Sequence, residues 1–231
     1  MNKLKKALQE SDFLRIKLLG DSITHGVGGT GFCQDGEPIV QNFARNPNGF
    51  CWAKLLKEYL ESKYNCSVVN NACTGTRIEF IIENFDTLVE SSDDFVICMI
   101  GTNNRHQYMK TGEKITREAW GLAFYQNILK LNELFVKNNK KVIFMANIPA
   151  SAENEKDGAD YWRILHMNDI NDIYKKASAE KGFTLISLYD LLSSYIKEND
   201  LSIDSLLKDG LHPNDDGYKI MYQLLVKELE V

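Results

Sequence analysis

The sequence predicts one doubly wound α/β domain with a parallel sheet. Strand-like apolar runs alternate with amphipathic helical stretches along the chain, which is the order expected when helices cover both faces of a parallel sheet. The run 95–100 is apolar throughout, which is typical of a central strand buried on both faces. At 231 residues, the chain suits one such domain or two small ones. Because no repeat, low-complexity tract or change in composition divides it, we expect a single domain over residues 1–231.

The predicted strands are short segments rich in apolar and β-branched residues, and each ends at a polar or glycine-containing turn. They cover residues 13–19, 68–69, 95–100, 141–146 and 184–186. In a parallel sheet, ligands bind at the carboxyl ends of the strands. We therefore expect the functional site at one edge of the sheet, in the turns after Leu19, Val69, Ile100 and Ala146.

The predicted helices repeat apolar residues at intervals of three and four positions. They run from Gly49 to about residue 60, then over 78–82, about 116–138, about 160–181, 188–196 and 218–229. Before the first of them lies a long polar, glycine-rich loop at about 26–48, with turn-forming pairs such as Gly28-Gly29 and Asp35-Gly36. A loop of this length in a compact domain is usually either a functional lid or disordered.

The composition excludes several classes of protein. A formal net charge of −5 argues against a nucleic-acid partner, and no apolar run approaches the length of a membrane span. The basic residues at 1–8 are not followed by the apolar core of a secretion signal. The five cysteines, Cys33, Cys51, Cys66, Cys73 and Cys98, form no metal-ligand spacing. The cysteines therefore favour reduced thiols in a cytoplasmic protein, with a processed secreted form as the alternative. The sequence indicates no oligomeric state.

Two separate turns carry residues suited to acid–base chemistry. The first strand stops at a glycine and delivers Asp21 and Ser22 into a turn, while Asp209 and His212 lie three residues apart near the end of the chain. A free imidazole has a pKa of about 6.5, which suits a general base near neutrality. A neighbouring carboxylate fixes its tautomer and stabilises the imidazolium. The second turn also fits a helix start capped by Asn214, and both interpretations can hold together.

A serine nucleophile needs a base, an orienting group and donors aimed at the developing oxyanion. Ser22 supplies the hydroxyl, and His212 and Asp209 supply the base and the orienting group. The candidate donors are the backbone N–H groups of Ser22 and Gly75 and the side-chain amide of Asn103, which follows the buried strand. Each of these also has an ordinary structural interpretation, since glycines form turns and asparagines cap helices.

Four stretches resemble the four sequence blocks of the SGNH (GDSL) hydrolase family. They are residues 20–24 (GDSIT), Gly75, residues 101–104 (GTNN) and residues 209–213 (DGLHP). The resemblance covers almost the whole chain. It implies a single-domain, three-layer α/β/α sandwich with a flavodoxin-like sheet. It also implies ester hydrolysis through an acyl-serine, without metal or cofactor.

The resemblance assigns Ser22, Asp209 and His212 as catalytic residues, and Ser22, Gly75 and Asn103 as the oxyanion hole. The sequence departs from the family pattern in two places. The third block usually ends in Asp and here ends in Asn104, which we expect to affect the bracing of the loop. The second block has Ala72-Cys73 before Gly75, where small or glycine residues are commoner.

Four further residues near these turns are expected to contact the substrate: Asp21, Arg77, Asn104 and His106. Arg105 is a related candidate, because it too follows an oxyanion turn and could meet an anionic or polar group.

Other polar residues suggest rival assignments. Cys73 could be a thiol nucleophile, His25 a competing base, and Asp21 with Asp209 a metal site for phosphoester hydrolysis. Cys73 fits better as a small buried residue and His25 as pocket lining, because neither has an evident partner. His166 is expected on a helix face, one turn before Ile170.

The predicted function is that of a serine ester hydrolase that removes short acyl groups, such as acetyl, from a carbohydrate or another polar substrate. This choice depends on the polar loop at about 26–48, because a long acyl chain needs an apolar groove. The alternatives are a lipase, lysophospholipase or thioesterase that acts on longer acyl chains. A non-enzymatic alternative is a carbohydrate-binding domain that has lost turnover.

Overall fold

Five parallel strands form the central sheet of the computed structural model, which describes residues 3–32, 49–107, 115–158 and 162–231. The strands are β1 (Leu14–Gly20), β2 (Cys66–Asn70), β3 (Phe95–Met99), β4 (Lys141–Ala146) and β5 (Thr184–Ser187). Their order in the sheet is β2-β1-β3-β4-β5. The chain therefore moves outward from β1 to β2 and then returns to the other side of β1. This order is the flavodoxin-like one, and it puts the reversal of winding between β1 and β3, where such sheets bind ligands.

Helices cover both faces of the sheet. They are α1 (Lys3–Glu10), α2 (Ser22–His25), α3 (Trp52–Lys63), α4 (Ile78–Glu83), α5 (Phe85–Leu88), α6 (Arg117–Lys137), α7 (Ala152–Glu155), α8 (Met167–Lys181), α9 (Leu188–Glu198) and α10 (Asp215–Leu229). Short 3₁₀ turns follow β3 at Thr102–Arg105 and precede the last helix at Ile203–Leu206. Among the described residues, no helix is both long and apolar enough to span a membrane.

The central strand β3 shows how the two cores are divided. Its side chains alternate between the faces of the sheet and all of them are buried. Phe95, Ile97 and Met99 pack with α1, α3, α9 and α10. Val96 and Cys98 pack with α4, α5, α6 and α8. The result is the three-layer α/β/α sandwich with a parallel sheet that the sequence predicts, and the fold prediction is confirmed.

The largest difference from the predicted elements is the start of α8, which lies at Met167 and not near residue 160. The preceding residues bond instead to the 3₁₀ turn after β3. The N–H groups of Ile164 and Leu165 both donate to the carbonyl of Arg105, at 2.7 and 3.1 Å. His106 and Arg163 form an isolated antiparallel bridge. These bonds hold the segment extended, so the helix begins only after it.

Four short helices, α1, α2, α5 and α7, have no counterpart among the predicted elements. Of the predicted loop at about 26–48, residues 33–48 lie outside the described part of the chain. The described part of that loop, residues 26–32, forms successive turns. Cys51, Cys66, Cys73 and Cys98 are free thiols in buried positions.

Candidate active site

The first turn of the site follows β1 and begins the short helix α2 at Ser22. Asp21 caps this helix, because its Oδ1 accepts the N–H of Ile23 at 3.1 Å. A side chain at Gly20 would overlap the Thr24 hydroxyl and the Met99 carbonyl, so the strand end requires a glycine. The tight turn directs the Ser22 side chain away from the strand while leaving the residue only 4% exposed.

A chain of hydrogen bonds connects the Ser22 hydroxyl to His212 and Asp209. The Nε2 of His212 lies 2.9 Å from the Oγ of Ser22, and its Nδ1 lies 2.8 Å from the Oδ2 of Asp209. A carboxylate only accepts hydrogen bonds, so Nδ1 carries the proton and donates it to Asp209. Nε2 is then the acceptor for the Ser22 O–H. The structure thus brings together the three residues that the sequence predicts as catalytic.

Asp209 is held in its charged form. Partial burial raises the pKa of its carboxyl, but hydrogen bonds from the ring and the backbone N–H of His212 and from the N–H of Leu211 outweigh burial and lower it to about 2. The two backbone bonds measure 2.8 and 3.0 Å and end on the same oxygen, Oδ1. The other oxygen is therefore left for the imidazole, which fixes the orientation of the ring.

The turn that carries His212 is fastened at both of its ends. The N–H of Lys208 donates to the His212 carbonyl at 2.8 Å, and the N–H of Asn214 donates to the Leu206 carbonyl at 3.0 Å. The side chain of Asn214 also caps α10, accepting the N–H of Gly217 at 3.0 Å. The cap confirms the prediction that the last helix begins at Asn214, in the segment that carries His212.

The chain after α2 packs directly on this turn. The Tyr218 hydroxyl donates to the Val27 carbonyl at 2.6 Å, and the N–H of Thr30 donates to the Asp215 carboxylate at 2.8 Å. Between these bonds, Gly28 has a φ of 94° and lies against His212 and Pro213, with no room for a Cβ. The segment that continues from the serine thereby sets the position of the histidine.

Besides Ser22, which follows β1 itself, the predicted oxyanion donors lie in the turns after the two strands that flank β1. The turn after β2 is joined to β1 by a bond of 3.1 Å from the Cys73 N–H to the Gly20 carbonyl. Gly75, two residues further on, is exposed and has a φ of 76°. Asn103 lies in the 3₁₀ turn after β3 and donates one amide N–H to the Thr76 carbonyl at 2.9 Å. That bond uses one of the two N–H groups of the amide and ties the two turns together.

The sequence profile of the GDSL-like Lipase/Acylhydrolase family matches residues 18–220. The chain belongs to this family. It is therefore a carboxylic ester hydrolase, as the sequence predicts. The match spans all four of the stretches that carry the resemblance, from residues 20–24 to residues 209–213.

Solved structures share the fold of this GDSL-like hydrolase at low sequence identity. Axe2, an acetylxylan esterase from Geobacillus stearothermophilus, aligns with a TM-score of 0.69 and 18% identity over 94% of each chain. LAE5, an alpha/beta hydrolase enzyme from the metagenome of Lake Arreo, aligns with a TM-score of 0.67 and 19% identity, over 94% of this chain and 95% of its own. Axe2 variants that replace a serine, an aspartate or a histidine with alanine are described as catalytic mutants. Comparison with curated proteins gives no match.

Two of the predicted substrate contacts in this GDSL-like hydrolase are wrong, because their side chains are buried and fully engaged. Asp21 is 0% exposed, and its carboxylate accepts bonds from Ile23 and from the amide of Asn147 at 3.2 Å. Burial raises the pKa of Asp21, although these bonds oppose the shift. Asn104 is 1% exposed, and its amide bonds to the N–H of Ile78 at 3.0 Å and to Glu79 at 2.8 Å. It braces the loop, as its departure from the family pattern suggested.

The other basic candidates differ in their exposure. Arg105 is 1% exposed and forms an ion pair with Glu155, so it has no surface left for a substrate. Arg77 is only partly buried and lines a cleft beside Gly75. His106 is half-buried beside Arg163, and its contact with substrate stays a prediction.

The rival assignments for the remaining polar residues find no support. Burial raises the pKa of the Cys73 thiol, which disfavours a thiolate nucleophile. Burial lowers the pKa of His25, and among the described residues its Nδ1 lies 2.9 Å from the Thr74 hydroxyl and not beside a carboxylate. His166 is the residue before α8 and lies 3.0 Å from Asp157, so it is not on the helix face as predicted.

The metal hypothesis for Asp21 and Asp209 conflicts with their partners. Asp21 is buried among amide donors, and both oxygens of Asp209 accept bonds from its own turn. In the part of the chain that the structure describes, no group of three His, Cys, Asp or Glu side chains is arranged to hold a metal ion.

Asn147, at the end of β4, is an important residue whose role the sequence does not indicate. Its amide donates to Asp21 and to the hydroxyl of Thr102, and the residue is 2% exposed. It therefore links the serine turn to the turn that carries Asn103. Its position at a strand end is the one sequence signal that could have suggested this role.

Proposed function

We propose that this hydrolase acts through an acyl-enzyme on Ser22. His212 accepts the Ser22 proton through Nε2 while Oγ attacks the ester carbonyl. It then gives this proton to the leaving alcohol. Water attacks the acyl-serine in the second half, with His212 again as the base, and Ser22 is released. The observation that carries the proposal is the continuous hydrogen-bond chain from Ser22 through His212 to Asp209, at 2.9 and 2.8 Å.

The negative charge on the carbonyl oxygen is stabilised by three proposed donors. They are the backbone N–H groups of Ser22 and Gly75 and the second amide N–H of Asn103. Removing one such donor costs an enzyme roughly 10²–10³ in kcat. The ionised Asp209 carboxylate stabilises the imidazolium that forms during each half-reaction, and its pKa of about 2 keeps it ionised over the working pH range.

The proposed substrate is a short acyl group, such as acetyl, on a carbohydrate or a similar polar alcohol. The cleft beside Gly75 supports it, because Arg77, Glu79 and Glu83 are among the residues that line the cleft. A long acyl chain would need an apolar groove, so a lipase or thioesterase of long chains fits less well. The acetylxylan specificity named for Axe2 points the same way. The connected Ser22–His212–Asp209 chain argues against a binding domain without turnover.

Kinetics with a series of esters from acetyl to octanoyl test this proposal. Ser22→Ala and His212→Ala are each expected to lower kcat by several orders of magnitude, roughly 10⁴–10⁶. Ser62→Ala, on the exposed side of α3, is the matched control and should keep wild-type kcat. Full activity in Ser22→Ala would refute the nucleophile. A kcat/KM that rises toward octanoyl would refute the short-acyl preference and favour the lipase alternative.

A further inference from the structure

A cleft of about 360 Å³ opens beside Gly75, the proposed oxyanion glycine, and is lined by residues 73–77, Glu79, Phe80 and Glu83. An ester whose carbonyl oxygen lies at Gly75 can extend one of its two groups into this space. The volume equals roughly twelve water molecules at about 30 Å³ each. An acetyl group is much smaller than that and would leave most of the space empty, whereas the cleft has room for a sugar ring. The cleft therefore suits the alcohol group of the substrate better than a short acyl group.

The inner wall of the cleft is fixed by contacts within the protein. The Arg77 guanidinium lies over the Trp120 ring, 5.2 Å from its centroid, and 3.4 Å from the Glu79 carboxylate. Glu79 in turn accepts amide bonds from Asn104 at 2.8 Å and from Asn127 at 3.1 Å. Because these side chains are ordered before a substrate binds, little conformational entropy is lost in forming hydrogen bonds to them.

Helix α4 supplies the remaining wall. Phe80 and Glu83 are three positions apart and so lie on neighbouring parts of one helix face. Phe80 is half-buried against the core and also lines the cleft, while Glu83 is exposed at the outer end of the helix. The cleft thus combines one aromatic ring with a few charged groups that can bond hydroxyls, a combination typical of sites for polar ligands.

We propose that this cleft is the alcohol subsite and that it selects an uncharged, hydroxyl-bearing ring. The inference rests on the proposed function. Phe80 packs against the apolar face of the ring, and Arg77 and Glu83 bond to its hydroxyl groups. Two glutamates face one arginine, so the lining carries a net negative charge. A ring that bears a carboxylate is therefore disfavoured by repulsion from Glu83.

Kinetics with three acetate esters test the subsite. The esters are ethyl acetate, an O-acetylated methyl pentoside and an O-acetylated methyl hexuronate, which differ in having no ring, a neutral ring or a charged ring. The wild-type enzyme should prefer the neutral ring over both others in kcat/KM. Glu83→Gln should lower the ratio of the neutral ring to ethyl acetate by roughly three- to tenfold, because the glutamine amide still bonds the hydroxyl but lacks the added strength of a charged acceptor. The same variant should also lower the ratio of kcat/KM for the neutral ring to kcat/KM for the charged ring.

Two further variants complete the test. Phe80→Leu, which keeps an apolar side chain but removes the planar ring, should lower the same ratio. Glu133→Gln makes the same charge change at an exposed position of α6, outside the cleft, and should leave the ratio at its wild-type value. Unchanged ratios in both Glu83→Gln and Phe80→Leu would overturn the subsite. If Ser22→Ala still abolished hydrolysis in that case, the proposed function would stand, whereas hydrolysis by Ser22→Ala would overturn both.

Discussion

Replacing Gly28 with alanine tests whether the segment after the serine positions the histidine. A Cβ at Gly28 would overlap the carbonyl oxygen of Pro213, far inside the 3.0 Å that real Cβ atoms keep. It would also lie 3.2 Å from the Cβ of His212. The backbone on the other side is held by the Tyr218–Val27 bond of 2.6 Å. The His212 turn is therefore the part that has to move.

Two separate costs follow from this geometry. The φ of Gly28 is 94°, in the region that L side chains avoid, and an alanine there costs about 1–2 kcal/mol of stability. Relief of the overlap moves the His212 turn by about 0.5–1 Å, because unstrained non-bonded contacts need roughly 3.5 Å. The 2.9 Å bond between His212 and Ser22 then lengthens or bends. A misplacement of about 1 Å can cost roughly 10²-fold in rate, so we expect kcat to fall by about 10–100-fold.

Gly182→Ala separates the two costs. Gly182 has a φ of 70°, and no atom of the described residues lies within 4 Å of where its Cβ would be. Thermal unfolding and the kinetics of acetate ester hydrolysis should be measured for both variants. Gly28→Ala should lose at least as much stability as Gly182→Ala, because it adds the overlap to the strained φ, and only Gly28→Ala should lose kcat. Equal kcat in the two variants would refute the claim that Gly28 positions the histidine.

Three further predictions address the charge, the oxyanion and the brace of the site. Because the pKa of Asp209 is about 2, below the ordinary value of about 3.9, its contribution to stability is complete above about pH 4 and lost as the pH falls through 2. Protonation of Asp209 should therefore add nothing to the slope of log kcat/KM above about pH 4, and an additional unit of slope in that range would contradict this. Asn103→Ala should lower kcat by roughly 10²–10³ with little change in KM. Asn147→Ala should lower the free energy of unfolding in urea by about 1–3 kcal/mol, because buried Asp21 loses a donor; an unchanged midpoint would count against the brace.

Much of the fold could be predicted because each local pattern has one dominant cause. A strand buried on both faces must be apolar throughout, as residues 95–100 are, and long helices must repeat apolar residues every three or four positions. Helix α1 was missed because only Leu4, Ala7 and Leu8 are buried in a short lysine-rich segment. The start of α8 was placed too early because the bonds that hold Ile164 and Leu165 extended come from Arg105, far away in the chain.

The site shows the same division between local and distant causes. The strand-end position of Ser22 and the three-residue spacing of Asp209 and His212 were enough to single out these residues, which the structure places in one chain of hydrogen bonds. The direction of the Asp21 side chain was not predictable in this way, because Asn147 lies 126 positions away along the chain. The role of Asp21 as a helix cap was predictable in principle, since aspartate is a preferred N-cap and α2 begins at the next residue.

The most direct test of the acyl-enzyme is to locate the covalent bond itself. An alkyl fluorophosphonate reacts with a serine only where a base activates the hydroxyl, and it leaves a stable adduct that peptide mass spectrometry can place. A single adduct is expected on the peptide that contains Ser22, formed in step with the loss of esterase activity. The adduct should be absent from Ser22→Ala and form much more slowly in His212→Ala. Inactivation with the adduct on another residue, or an active enzyme with Ser22 fully labelled, would contradict an acyl-enzyme on Ser22.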